Sequence, residues 1–245
     1  MADAPDYSVP ALEKALDILE LLADEAGGLS QSEIADAIGR SVGQIFRVLT
    51  NLERRGYLVR DPQSALYQLS TRLFDLAHRH PPLRGLVSAA TTPMRELAET
   101  VRQSCNLSVV DAGRVRIIAQ VESPADFGYR VRVGATFPML RTATGIVLAA
   151  GAAPDLGLDG DFEQADLESV RRDGYLVRAD ALQQSITDLV VPIRDAAGGT
   201  IAALTVPYVA TTFSDVASGE VLREALATAT VISLALIGKH PDGAR

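Results

Sequence analysis

The stretch from Ser30 to Arg60, SQSEIADAIGRSVGQIFRVLTNLERRGYLVR, constrains the fold more than any other part of the chain. Ile34, Ala35 and Ile38 recur at helical spacing, and Val42, Ile45, Val48, Leu49 and Leu52 do so again. Gly39 lies between the two patterns, where a chain reversal suits glycine. Ser30-x-x-Glu33 and Ser41-x-x-Gln44 each fit the capping box, in which two side chains satisfy orphan backbone donors reciprocally at a helix start. Two short capped helices about a glycine turn predict a helix-turn-helix.

The charge pattern fits that reading. Between Met1 and Asp36 there are nine acidic residues and one basic residue, Lys14, whereas Arg40 to Arg60 holds five arginines and one acid, Glu53. In a chain of net charge −8, this is a local positive surface. Phosphate neutralisation supplies much of DNA affinity, and a localised basic footprint matters more than the total. The alternative is an ordinary solvated helix face.

The residues from about Ala11 to Leu73 resemble the N-terminal winged helix-turn-helix of the IclR (isocitrate lyase regulator) family of bacterial transcription regulators. The resemblance rests on ALEKALDILELLA, GGLSQSEIADAIG, IFRVLTNLERRGYL and YQLSTRLFDLA. Further on, VESP at Val121–Pro124, RVGATFPMLRTATG at Arg132–Gly145 and the run GYLV…ITDLVVPIRDAAGGTIAAL resemble that family's effector-binding domain. The resemblance implies a GAF-like sensor fold, a small-molecule effector, and dimers that pair into tetramers.

Composition narrows the remaining possibilities. A chain of 245 residues, 47% hydrophobic, has room for one or two domains with a substantial core. Its single cysteine, Cys105, precludes an intrachain disulfide and any cysteine zinc cluster. The acidic N-terminus predicts no signal peptide, and no apolar run reaches the ~18 residues of a membrane span. The expected location is the cytoplasm. There is no GxSxG, phosphate-cradling glycine loop or HExxH. Cys105 has no base identifiable beside it and reads as a small apolar residue. The expectation is a non-enzyme without cofactor or metal. His78 and His80 lie two apart and face different sides of a helix, which suits a polar linker better than a metal site.

The elements expected in order are a disordered arm before Pro10 and a helix Ala11–Asp24, whose stripe of Leu12, Ala15, Leu16, Leu19 and Leu22 should pack on the helix-turn-helix core. Wing strands at Tyr57–Val59 and Leu66–Leu69 and a helix from Ser70 follow. Pro81-Pro82 marks the boundary between a winged helix-turn-helix over 1–80 and an effector-binding and oligomerisation domain over 83–245. In the second domain we expect a helix Leu83–Gln103, strands Leu107–Asp111 and Val115–Val121, and a strand Val131–Val133. A small buried helix Thr142–Gly151 and a helix Phe162–Asp173 come next. Strands Tyr175–Val177, Ile186–Ile193 and Thr200–Val206 and a helix Ser214–Ile237 complete it. The fold class is α+β, an antiparallel sheet flanked by helices.

A recognition helix presents its N-terminal, solvent-facing residues to base edges. That selects Gly43, Gln44, Arg47 and Asn51, with Arg40, Ser41 and Arg60 completing the candidate DNA-binding set. Arg47 suits guanine and Gln44 adenine; alternatively Gln44 only completes the cap and Arg47 only meets phosphate. The family usually carries Ser-Thr where this chain has Gly43-Gln44. The resemblance also implies effector contacts at Leu140, Thr142, Gly145, Asp180, Asp188, Thr205 and Pro207. Asp188, where the family often has a small uncharged residue, would disfavour an anionic effector unless Arg178 or Arg141 neutralises it. The expected function is a DNA-binding regulator of an operator, homodimeric or a dimer of dimers, modulated by a small effector. The alternative is a ligand-independent DNA-binding dimer with a structural C-terminal domain.

Overall fold

The computed structural model describes residues 8–79, 81–126, 128–152, 162–180, 183, 185–210 and 216–238. The arm before residue 8, His80 and the expected helix start at Ser214 lie outside the described residues. The chain divides into two compact units, Met1–Pro81 and Pro82–Arg245.

The first unit comprises α1 (Pro10–Ala23), α2 (Gln31–Ala37), α3 (Val42–Arg54), β1 (Leu58–Arg60), β2 (Tyr67–Leu69) and α4 (Arg72–Arg79). Its core joins Ile18 and Leu22 of α1, Ile34 and Ala35 of α2, and Ile45, Leu49 and Leu52 of α3 to Leu58 and Tyr67 of the wing. Both helix starts are built as expected. Glu33 accepts from the Ser30 N–H at 2.8 Å, and Gln44 accepts from the Ser41 N–H at 3.0 Å. Leu29 also bridges Tyr67, through N–H to O bonds of 3.0 and 2.7 Å, so the segment before α2 extends the wing. Gly28 makes this approach possible: its φ is +76°, and a Cβ there would stand 2.8 Å from the Tyr67 carbonyl oxygen.

The α1 stripe is split. Ile18 and Leu22 are buried, but Leu12 and Leu16 are 56% and 48% exposed. On α4, Leu73, Phe74 and Leu76 are exposed too. α1 therefore buries only part of its apolar face, and the large apolar residues of α4 stay exposed.

The second unit is an antiparallel sheet with helices on both faces. α5 (Pro81–Val101) leads into β3 (Cys105–Asp111) and β4 (Arg114–Val121). After β5 (Thr136–Pro138), a single 3-10 turn (Met139–Arg141) opens α6 (Ala143–Ala150). α7 (Gln164–Asp173), β6 (Leu176–Ala179), β7 (Ile186–Arg194), β8 (Thr200–Val209) and α8 (Ser218–Ile237) follow. The strand order is β5-β4-β3-β8-β7-β6. Alternation sorts the two faces. Leu107, Leu189, Val191, Leu204 and Val206 pack with α5 and α8, while Val190 and Ala203 pack with α6 and α7.

Two local expectations are corrected. Pro81 and Pro82 open α5 rather than forming a linker, because a first helical turn has no use for the missing N–H groups. Residues 131–133 form no strand. The chain turns there, with Ala135 N–H on the Arg132 carbonyl at 3.0 Å; Gly134 and Ala135 then bond Ile117 of β4 at 2.8 and 3.0 Å, and strand pairing with β4 runs over Thr136–Pro138. The Val-Arg-Val alternation gives way to the turn at Gly134, and Val131 serves a cavity instead.

Candidate DNA-reading helix and effector cavity

In the first unit the outward side of α3 carries Gly43, Phe46, Arg47, Thr50 and Asn51, all exposed. The buried stripe of Ile45, Leu49 and Leu52 fixes this orientation. Arg47 makes no hydrogen bond or ion pair among the described residues, so its guanidinium is available to an external partner. Gln44 spends its side-chain oxygen on the Ser41 cap, which leaves its amide N–H₂ to donate outward. Asn51 accepts from Arg54 Nη2 at 2.9 Å. Arg40 and Ser41 are exposed at the entry to α3, and Gly43 has open space around its Cβ position.

In the wing, Arg60 lies over the Tyr67 ring at 5.4 Å and donates to the Ala65 carbonyl at 3.4 Å. Asp61 accepts from the Gln63 and Ser64 N–H groups and from the Ser64 hydroxyl, at 3.0, 2.6 and 2.8 Å. The Ser64 contacts first, and then Gln63, hold its carboxyl below the usual range. Phe46 was missed by the sequence reading. It is 55% exposed beside Arg47, and an aromatic that falls outside the Ile45, Leu49 and Leu52 stripe of α3 was a readable signal.

In the second unit a cavity of about 50 Å³ lies over the α6 face of the sheet. Its floor is Asn106 of β3, Thr205 and Pro207 of β8, and Asp188 of β7. Register explains the cluster, because Asn106 pairs with Thr205 and Asp188 with Pro207. Val115 and Ile117 of β4 close one side, Tyr129, Val131 and Phe137 another, and Thr142, Thr144 and Asp180 complete the wall. Thr144 and Thr205 hydroxyls are 2.9 Å apart, tying α6 to β8. Thr142 caps α6 by accepting from the Gly145 N–H at 3.0 Å.

Asp188 is 7% exposed. Burial first, then the charge of Asp180 and a side-chain hydrogen bond with it, push its carboxyl up to about 7. Burial and the same two aspartates push the Tyr129 phenol up as well. Neither arginine weighed from the sequence neutralises Asp188: Arg178 bonds Asp166 at 2.7 Å, and Arg141 does not line the cavity.

Of the seven expected effector contacts, the cavity brings together Thr142, Asp180, Asp188, Thr205 and Pro207. Leu140 is 48% exposed on the 3-10 turn and lies outside the lining. Gly145 is also outside it. A Cβ at Gly145 would stand 2.0 Å from the Met139 carbonyl oxygen, so the residue serves the docking of α6 on that turn. The lining residues missed from sequence include Asn106 and Thr144. Asn106 and Ser108 alternate within an apolar strand, which was the available clue. Cys105 donates its thiol to the Met94 carbonyl at 3.4 Å, and burial pushes it up to about 12, which leaves it inert.

Two family models match: the IclR helix-turn-helix domain over residues 11–62, and the bacterial transcriptional regulator IclR C-terminal domain over residues 83–156. Together they span just over half of the chain. The chain belongs to the IclR family. Among similar proteins is the HTH-type transcriptional regulator KdgR of Escherichia coli, 26% identical over 228 residues, 86% of each chain. Another is the glycerol operon regulatory protein of Streptomyces coelicolor, 28% identical over 204 residues, 77% of this chain and 80% of that one.

Among solved structures, an IclR homologue from Microbacterium hydrocarbonoxydans complexed with 4-hydroxybenzoate superposes with a TM-score of 0.74 at 22% identity, covering 92% of this chain and 98% of that one. Thermotoga maritima IclR gives 0.73 at 23% identity, covering 93% and 98%. These likenesses establish a shared fold. This IclR-family chain is thus a DNA-binding transcriptional regulator with mixed α+β architecture, and among its described residues no helix is long and apolar enough to cross a membrane.

Proposed function

We propose that this regulator binds a double-stranded operator through α3 and that a small molecule in the second-unit cavity modulates that binding. In this division of labour residues 1–80 form the winged helix-turn-helix, and 83–245 sense the effector and carry oligomer contacts. The protein acts in the cytoplasm, where its operator lies. The observation that carries the DNA part is the outward face of α3, where the Arg47 guanidinium has no partner among the described residues. Arg47 reads guanine, Phe46 packs on a thymine methyl, and Gln44 donates from its free amide. Arg40, Ser41, Gly43, Asn51 and Arg60 meet the sugar-phosphate backbone, which sets register rather than sequence.

The effector part is supported by a cavity with few polar anchors in apolar walls, as small-ligand sites usually have, and by the relative crystallised with 4-hydroxybenzoate. The protein works as a homodimer or a dimer of dimers, since one recognition helix covers few base pairs and Leu12 and Leu16 offer an unburied apolar stripe. Selection of duplexes from a random pool tests the reading: a recurring, two-fold-related motif is expected, and enrichment without any shared sequence would count against it. A metabolite screen by thermal shift tests the effector role, because a ligand that binds the folded state raises its stability.

A further inference from the structure

Asp180 and Asp188 line the same cavity wall, close enough that the Asp180 charge and a side-chain hydrogen bond with it raise the Asp188 carboxyl. Two carboxyls can hydrogen bond only by sharing a proton, so the pair titrates as a unit. No lysine, arginine or histidine is among the cavity-lining residues described. Arg132 and Arg141 flank the lining residues Val131 and Thr142 without lining the cavity themselves, and two further arginines nearby are engaged. Arg178, opposite Asp188 in the β6–β7 register, bonds Asp166, and Arg130, beside Tyr129, bonds Glu122 at 3.0 Å. Tyr129 is the remaining titratable group on the cavity, and it stays protonated.

The other end of the cavity has the opposite hydrogen-bonding character. Asn106 is 4% exposed and lines the floor. Its side-chain oxygen accepts from Ser108 at 3.2 Å, but its amide nitrogen has no partner among the described residues. That N–H₂ is left to donate to an acceptor in the cavity. The acceptor carboxyls and the donor amide thus line one cavity together with the Tyr129 and Phe137 rings.

Resting on the effector reading of this cavity, we propose that it takes a small organic cation. The ligand's ammonium group sits between the Asp180 and Asp188 carboxyls in place of their shared proton, and its neutral oxygen accepts from the Asn106 amide. The proton balance is simple: one proton leaves the pair for solvent as the ammonium enters, and no bond to carbon changes. The aromatic walls favour a cation, and a carboxylate ligand would meet like charge in a poorly screened site. A cavity of about 50 Å³ suits a small ligand.

The probes are ethanolamine, ethylene glycol and glycolate, and their three-carbon counterparts, in calorimetry and thermal shift on the full chain from pH 5.5 to 8.5. An alkylammonium keeps its charge over this range. The amino alcohols are expected to bind at least tenfold more tightly than the matched diols and hydroxy acids. Below pH 7 their affinity should fall towards tenfold per pH unit, with one proton released as read from buffers of different ionisation enthalpy. Asp188→Asn should abolish both the preference and the proton release. Asp180→Asn, at a part-exposed site, serves if the first variant does not fold. Hydroxy acids binding as tightly as the amines, or amine binding that is flat in pH and unchanged in both variants, would overturn the proposal while leaving the effector site standing. Binding of none of the probes would overturn the cation proposal. The effector reading then falls separately, if a wide metabolite screen also yields nothing that shifts operator affinity.

Discussion

Replacing Asp188 by asparagine should stabilise the ligand-free protein, and more so as the pH rises. The buried carboxyl stands at about 7 in the folded chain against an ordinary 3.8. A raised acid disfavours folding once the unfolded chain ionises it. The cost begins above 3.8 and is complete above about 7. At 1.36 kcal/mol per pH unit, the difference sets a ceiling of about 4 kcal/mol at pH 8, and about 1.5 kcal/mol at pH 5. Asparagine removes the ionisation, keeps the volume and can still donate to Asp180. At roughly 2–4 °C per kcal/mol, the variant's gain in melting temperature should be several degrees larger at pH 8 than at pH 5. The assay is thermal unfolding of both proteins across that range, followed by a probe of the second unit. A difference between variant and wild type that is flat in pH would refute the reasoning, and so would one that shrinks as pH rises.

Three further outcomes follow from the geometry. Arg47→Ala should weaken operator binding by about 1–3 kcal/mol and relax preference at one base pair without altering helix content; an equal loss on operator and random duplexes, in fluorescence anisotropy, would make Arg47 a phosphate contact. Gly145→Ala should cost about 1–3 kcal/mol of stability through overpacking, since the new methyl meets the Met139 carbonyl at 2.0 Å; wild-type stability in urea would contradict the close approach. Light scattering should report a dimer or tetramer that Leu12→Ser with Leu16→Ser weakens, and an unchanged assembly in the double variant would place the interface elsewhere.

Local physics accounts for what was legible. The two capping boxes, the 3.6-residue periodicity of α3 and the Ala112-Gly113 turn, with φ of 47° and 73°, are decided by residues within one turn of each other. The parity that groups Asp188 with Val190, and Thr205 with Pro207, is also local, whereas the β7–β8 register puts the two groups on one face. What stayed hidden depends on which distant segments meet. The Leu29–Tyr67 bridge joins residues far apart in sequence. β5 forms where β4 offers an edge rather than where alternation is strongest. Asn106 enters the cavity because β3 pairs with β8, and the Asp180–Asp188 contact requires the end of β6 to fold back on β7. The exposed half of the α1 stripe was misread because periodicity says which residues share a face and not what covers it.

The most direct test of the account is operator binding by the purified protein on a selected duplex, titrated by anisotropy with and without a ligand found by thermal shift. The account predicts sequence-dependent affinity that the ligand changes severalfold in wild type, and that the ligand no longer changes when Asp188 is replaced by asparagine. Affinity that is the same for selected and random duplexes, or that a cavity-bound ligand leaves untouched, would contradict it.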